Sequence, residues 1–283
     1  MPDDARLLPY VKQVSRANIE RDDRHLSTAY PTRHTLGRYI APCADWLEQR
    51  LRENGLRTVL RHEYTQAGRK LPNVIGVKPG ATPETILVCA HFDTRMQQLQ
   101  DAHAPAPGAD DNGTGVSVVL ELARILAPVS LRCSVQFALF SGEEQGLWGS
   151  TAYARQVKSD RLPLRFVLNL DELGYPPPDR AIFVDRDESG LPGPNVAASR
   201  ALVARIQELA RTVVRVPTRV DKAENSDYMP FANQGYAITG LYEAGKSYPA
   251  YHTSDDTFEK VDFAYVTGMA QLALATVLAH ALG

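Results

Sequence analysis

The chain has 283 residues, 31 of them basic and 33 acidic, for a formal net charge of −2. Its 44% hydrophobic and 23% charged residues are the proportions of an ordinary globular protein. These figures exclude a wholly disordered chain, a collagen-like chain and a polybasic nucleic-acid binder, and a chain this long can bury a large core without a disulfide framework.

In chain order, Met1-Pro2-Asp3-Asp4 shows neither a basic n-region nor an apolar h-region, so no signal peptide is read there. The compartment stays open: cytoplasmic if the protein starts as written, periplasmic or secreted if a leader has been removed. Residues 1–33 mix acidic and basic groups and suit a leading arm or helix. Leu36, Ile40, Ala44, Leu47 and Leu51 recur at helical spacing between Thr35 and Asn54, and Gly55 supplies a stop. Pro42 must lie near the start of that helix or kink it. Thr58–Glu63 and Asn73–Lys78 read as short strands, followed by a Lys78-Pro79-Gly80 turn.

Thr85–Ala90 is apolar after its first residue, as a strand buried on both faces should be. A loop rich in Ala, Pro and Asp runs from Arg95 to Asn112. Gly113–Ala127 places its apolar residues on one face, predicting an amphipathic helix. Ser134–Phe140 and Arg165–Leu170 are further buried strands, Val196–Leu209 a helix, Tyr236–Tyr242 a strand and Phe263–Leu282 a closing helix. The stretch from Val266 to Gly283 carries no Asp, Glu, Lys or Arg. Its Ala content and its Gln271, Thr276 and His280 favour a buried core helix over a membrane span. Of three cysteines, Cys89 and Cys133 sit in apolar runs and read, with Cys43, as buried free thiols, a single disulfide being the alternative. Alternating strands and helices predict one α/β domain over residues 1–283, built on a largely parallel sheet, with residues 1–70 as an N-terminal helical part packed on it.

In such sheets functional groups gather where strands end. The first buried strand ends in His91-Phe92-Asp93-Thr94, the second in Ser141-Gly142-Glu143-Glu144-Gln145-Gly146 and the third in Asn169-Leu170-Asp171-Glu172. Asp110-Asp111-Asn112-Gly113 precedes the central helix, and His252-Thr253-Ser254-Asp255-Asp256-Thr257 stands near the end. Singly, each has an ordinary explanation: an Asp before a helix is an N-cap, a His after a strand is a bonded loop residue, a Glu pair is a solvated turn. Together, carboxylates converging at one edge repel one another unless a cation joins them. Imidazole and carboxylate donors without thiolates suit a zinc site other than the structural Cys type. Asp93, two residues beyond His91 on an extended segment, is placed to hold that imidazole's second ring N–H. Of the Glu143–Glu144 pair, one can bind metal while its neighbour takes a proton from water.

These five motifs, in this order, resemble the co-catalytic di-zinc aminopeptidases of zinc metallopeptidase family twenty-eight, over roughly Asn73 to the C-terminus. Trp148-Gly149-Ser150, Tyr153-Ala154, Ser226-Asp227-Tyr228 and Phe231 add weaker matches. The resemblance implies a three-layer sandwich around a central mixed, largely parallel twisted sheet flanked by helices. It implies two zinc ions bridged by Asp111, one held by His91 and Asp171, the other by Glu144 and His252. Asp110 would be the bridge if the motif's registration were off by one. Glu143 would be the general base, serving a metal-bound hydroxide, and Asp93 would orient His91. The peptide bond after Asp111 is often cis in relatives. Tyr251 could supply a hydroxyl to the tetrahedral oxyanion or simply pack. Glu172, where several relatives carry Met, could bind the substrate's α-amine or a basic side chain, or face solvent. Glu243 is a similar candidate.

The implied activity is removal of the N-terminal residue from peptides. Rivals within the same fold are a one-zinc glutaminyl-peptide cyclotransferase, a dipeptidase or carboxypeptidase, and a non-catalytic binding domain. The full ligand set argues against the last, and the Gly142–Ser150 run looks more like the peptidases than the cyclases. Manganese or cobalt could use the same donors. Gly240–Ser247 satisfies G-x-x-x-x-G-K-S, but the Tyr248-Pro249-Ala250 that follows cannot open the helix a phosphate loop requires. The expected partners are peptide substrates, with no nucleic acid or membrane, for a monomer or small homo-oligomer.

Overall fold

A computed structural model of the protein describes residues 4–188, 193–243 and 248–282. Among them eight strands form one sheet: β1 (Thr58–Gln66), β2 (Arg69–Lys78), β3 (Thr82–His91), β4 (Cys133–Phe140), β5 (Leu164–Leu170), β6 (Ile182–Arg186), β7 (Thr218–Lys222) and β8 (Ile238–Tyr242). Their spatial order is β1-β2-β4-β3-β5-β8-β6-β7. β4, β3, β5 and β8 run parallel, with β2 antiparallel to β4 and β6 antiparallel to β8. The sheet is thus mixed and largely parallel at its centre, as expected. The carboxyl ends of its four central strands share one edge.

Helices cover both faces: α1 (Leu8–Val11), α2 (Arg16–Ala29), α3 (Ile40–Glu53), α4 (Gly115–Leu126), α5 (Trp148–Ser159), α6 (Pro194–Leu209), α7 (Met229–Asn233) and α8 (Phe263–Ala281). The period-2 geometry of β3 explains the layering. Ile86, Val88 and Ala90 join the larger core with α4 and α8, whereas Leu87 and Cys89 join the smaller core with α5 and α7. Both faces of β3 are therefore dry, which is why its sequence shows no polar alternation. α8 is long and apolar enough by composition to cross a membrane, but most of it is buried against α1, α2, α4 and α6. All three cysteines are free and buried.

As expected, Pro42 lies in the first turn of α3, where its missing N–H is harmless, and Gly55 ends the helix at φ +97°. Other elements differ from expectation. β1 and β2 extend past the predicted strands into a hairpin closed at Ala67-Gly68, both with positive φ. Its outer end is polar because it is solvated, so it carries no apolar signal. The N-terminal 70 residues thus include an edge strand as well as helices. α4 is buried almost all round rather than on one face, with α2 and α8 packed over its outer side. β6 and β7 give too short an apolar pattern to read from sequence. Of the phosphate-loop pattern, Gly240–Tyr242 belongs to β8 and Ala244–Ser247 lie outside the described residues; turns, not a helix, follow at 249–252.

One fully buried side chain ties the N-terminal helices to the functional edge. Arg33 donates from Nε to Phe92 O (2.8 Å), from Nη1 to Leu26 O (3.0 Å) and Pro107 O (2.6 Å), and from Nη2 to Gly108 O (2.8 Å). The guanidinium fork thereby joins α2, the end of β3 and the loop before α4. An unmet buried carbonyl costs about 1–3 kcal/mol. Arg33→Met is expected to lower stability by at least about 3 kcal/mol, read as a fall in the urea midpoint at unchanged slope. Arg33→Lys should not restore it, because one ammonium cannot span four carbonyls. A loss below about 1 kcal/mol would show that the N-terminal helices do not lean on this contact.

Candidate active site

Five chain segments bring the predicted residues to one place. His91 closes β3, Glu143 and Glu144 follow β4, and Asp171 follows β5. Asp111 lies in the Ala109–Thr114 turn that leads into α4, and His252 in the turns after β8. The Asp111–Asn112 peptide bond is cis. Asn112 holds that turn by donating to Leu170 O and accepting from Gly115 N, each at 2.9 Å.

The geometry resolves two donor groups that share Asp111. His91 Nε2 lies 3.3 Å from Asp111 Oδ1 and 3.2 Å from Asp171 Oδ1. His252 Nε2 lies 3.0 Å from Asp111 Oδ2 and 3.0 Å from Glu144 Oε2. Within each group the candidate donor atoms fall within 4.8 Å of one another. The buried His252 Nε2 nevertheless makes no aligned hydrogen bond, and Glu144 Oε1 has no partner at all. Buried polar atoms left unmet in a cluster of imidazoles and carboxylates mark a place built for a cation. Two imidazoles and three carboxylates, with no thiolate, fit two divalent ions of the zinc type.

Electrostatics follow from this crowding. Burial alone would raise the Asp111 carboxyl, but its contacts with His252 and His91 outweigh it and hold the group well below the usual range. Burial would lower the His252 imidazole; contact with Asp111 and Glu144 instead raises it to about 9. Desolvation pushes Glu143 well above the ordinary carboxylate value; His91 opposes this, and Glu144, Asp171 and Asp227 add to it.

Asp93 holds the site differently from the expectation. Its backbone carbonyl, not its carboxylate, lies 3.1 Å from His91 Nδ1; the carboxylate Oδ1 is 3.7 Å away. That carboxylate instead accepts from Glu143 N (3.2 Å) and Thr35 Oγ1 (2.6 Å). Asp110 is turned away from the donor groups, accepting from Gly174 N at 2.7 Å. Tyr251 stacks on the His252 ring, with centroids 3.6 Å apart. Burial and the neighbouring carboxylates, Asp111 first, raise its phenol, which stays a donor. Glu172 borders a cavity beside Asp171 and sits in the left-handed region at φ 47°. Glu243 does not border it: its carboxylate is buried, accepts from Tyr175 N and faces Asp110. The expectation that Glu243 binds substrate does not suit this placement.

Further residues support the site in ways that the sequence did not announce. Asp256 accepts from Asp110 N (2.9 Å) and Asp111 N (3.0 Å), and Tyr248 donates to it at 2.8 Å. Ser226 donates to Asp171 Oδ2 at 2.6 Å, Arg95 Nε to Glu144 Oε2 at 2.9 Å. Asp227 is buried with both oxygens unmet. The sequence singled out the runs that hold Ser226, Asp227 and Asp256 without giving any of the three a role, and it gave no site signal for Tyr248 or Arg95.

Comparison with known proteins now decides the family. The model of peptidase family M28 matches residues 73–277. The chain belongs to peptidase family M28. Among relatives of this M28 peptidase, a probable zinc metalloprotease of Pyrenophora teres f. teres is 28% identical, covering 98% of this chain and 68% of the relative. A probable leucine aminopeptidase of Trichophyton verrucosum is also 28% identical, covering 93% and 73%. Among solved structures, the LapA aminopeptidase of Legionella pneumophila superposes with a TM-score of 0.83 at 22% identity, covering 98% of this chain and 74% of that one, which shows a shared fold.

Metal ligation requires neutral imidazole. In chelator-stripped protein, the raised pKa of His252 contributes stability in full below about 6.5 and loses it as pH climbs through about 9. Zinc is therefore expected to release protons on binding and to bind more tightly as pH rises across that window. Calorimetric titrations of the stripped protein at several pH values, in buffers of different ionisation enthalpy, would measure this; a flat affinity profile would contradict it.

Proposed function

We propose that this M28 peptidase is a zinc-dependent aminopeptidase that holds two zinc ions and removes N-terminal residues from peptides. The observation that carries the reading is the pair of donor groups meeting on Asp111. The names of two relatives, one a zinc metalloprotease and one an aminopeptidase, support it. In this reading His91 and Asp171 hold one ion, Glu144 and His252 the other, and Asp111 both.

Bound zinc supplies Lewis acidity toward the scissile carbonyl and acidifies water. The residues do the rest. Glu143 takes a proton from the attacking water on its carboxylate and returns it to the departing amine; burial raises its proton affinity, and the neighbouring carboxylates add to that. Asp93 fixes this base through its bond to Glu143 N, and fixes His91 through its carbonyl. Tyr251, neutral and on the cavity wall, donates to the oxygen that gains negative charge. Glu172 meets the substrate's ammonium group. The cavity beside Asp171, about 250 Å³, suits one side chain rather than an extended peptide and so favours cleavage at a chain end.

Glu143→Gln is expected to lower kcat by about 10²–10⁴-fold while elemental analysis still finds two zinc per chain. Substrates with an acetylated N-terminus should resist the wild-type enzyme. Cleavage of acetylated peptides would overturn the aminopeptidase reading. One zinc per chain, with ring closure of N-terminal glutamine and no hydrolysis, would establish a cyclase instead.

Tyr251→Phe is expected to lower kcat by about 10–10²-fold with KM little changed. An equal fall in kcat for Tyr251→Phe and Tyr251→Leu, together with zinc loss, would assign the ring to packing on His252 only.

A further inference from the structure

The cavity beside Asp171 is walled by the β6–β7 edge of the sheet, which has no clear signature in the sequence. Asp185 of β6 pairs with Gly240 of β8 across the antiparallel ladder and reaches the cavity. It is 6% exposed. Its Oδ2 accepts from Tyr228 at 2.9 Å, and no hydrogen bond reaches Oδ1 from any described residue. Gly240 makes the room: a Cβ there would stand 2.7 Å from Asp185 Oδ2 and 2.8 Å from the Tyr228 ring.

Charge around the cavity is one-sided. Asp185, Glu172, Asp221 and Glu224 border it along with Asp171, against a single cation among the described residues, Lys222. That lysine stands 3.7 Å from Glu224 at the rim. The Asp171 charge is taken up by the donor group it shares with His91, but no cation among the described lining residues answers Asp185 or Glu172. Tyr228, Tyr242 and Tyr251 supply aromatic wall between these acids. Such a lining fits a side chain with an apolar stem and a positive end, whose methylenes lie on rings and whose cation meets a carboxylate. It suits a leucine side chain poorly, because an apolar branch would leave the buried Asp185 unmatched. Burial raises the Asp185 carboxyl to about 7 against the hydrogen bond from Tyr228, as expected of an acid awaiting a cation.

We propose that this cavity selects a lysine or arginine side chain at the substrate's N-terminus, with Asp185 as the acid that recognises its positive end. The inference rests on the aminopeptidase reading above. Two carboxylates then play separate parts. Glu172, next to ligand Asp171, meets the α-amine, and Asp185, deeper in the β6–β8 wall, meets the side chain.

The test compares kcat/KM of the zinc-loaded enzyme on p-nitroanilides of lysine, arginine, norleucine and leucine. Norleucine keeps the lysine stem and lacks the charge. Lysine and arginine are expected to exceed norleucine at least about tenfold. In Asp185→Asn, which keeps the shape and a partner for Tyr228, the lysine-to-norleucine ratio should fall by about the same factor. Should that variant fail to fold, product inhibition of the wild type decides: free lysine should inhibit more strongly than free norleucine. Norleucine or leucine preferred by an active enzyme would overturn the inference and leave the aminopeptidase standing. An unchanged ratio in folded Asp185→Asn would remove Asp185 from the role. No turnover of any of the four substrates would instead overturn the aminopeptidase reading itself.

Discussion

Carboxylate crowding is the constraint on which the rest of this structure depends. Asp111, Asp171 and Glu144 converge on two imidazoles at one sheet edge with Glu143 beside them, and so many like charges stand together only with compensation. His91 and His252 give part of it, and Arg95 adds a charge-assisted bond to Glu144. The unmet Glu144 Oε1 and His252 Nε2 show that the protein's own groups do not complete it. Divalent cations of the zinc type would.

Other carboxylates nearby serve a different end. Asp256 and Asp93 accept backbone N–H groups from the segments that carry Asp111 and Glu143, and Asp110 accepts from Gly174. Each converts a flexible turn into a fixed platform, since a carboxylate bonded to main-chain donors holds position better than one facing water. The acids therefore divide into those that offer oxygen to a cation and those that hold loop backbone still. Arg33 extends the same logic with opposite charge, fastening four carbonyls beneath the site.

The central fold was legible because β3, β4 and β5 are buried on both faces and α8 nearly all round, so burial is written as unbroken apolar runs. The donors were legible because they cluster in short motifs at the ends of those strands. What stayed hidden was long-range or short-lived in pattern. Asp256 looks like one more polar residue in a turn, and only the folded chain brings it to Asp110. Asp185 sits in a five-residue strand whose neighbours are as polar as a loop. That Asp93 serves through its carbonyl as well as its carboxylate is a matter of rotation about bonds, to which residue type is silent. The same holds for Glu243, which as a letter looks as available as Glu172.

The bonds from Asp256 to Asp110 and Asp111 span 146 and 145 residues of chain. During synthesis, everything through β8 can emerge and begin to pair before the residue that steadies the shared donor exists. His252 leaves the ribosome only four positions earlier. A growing chain therefore holds an incomplete metal cradle until Asp256 has emerged, and its peptide-cleaving machinery closes only after β8 has been made. For a peptidase, this order delays the appearance of activity until all eight strands that confine it have been made.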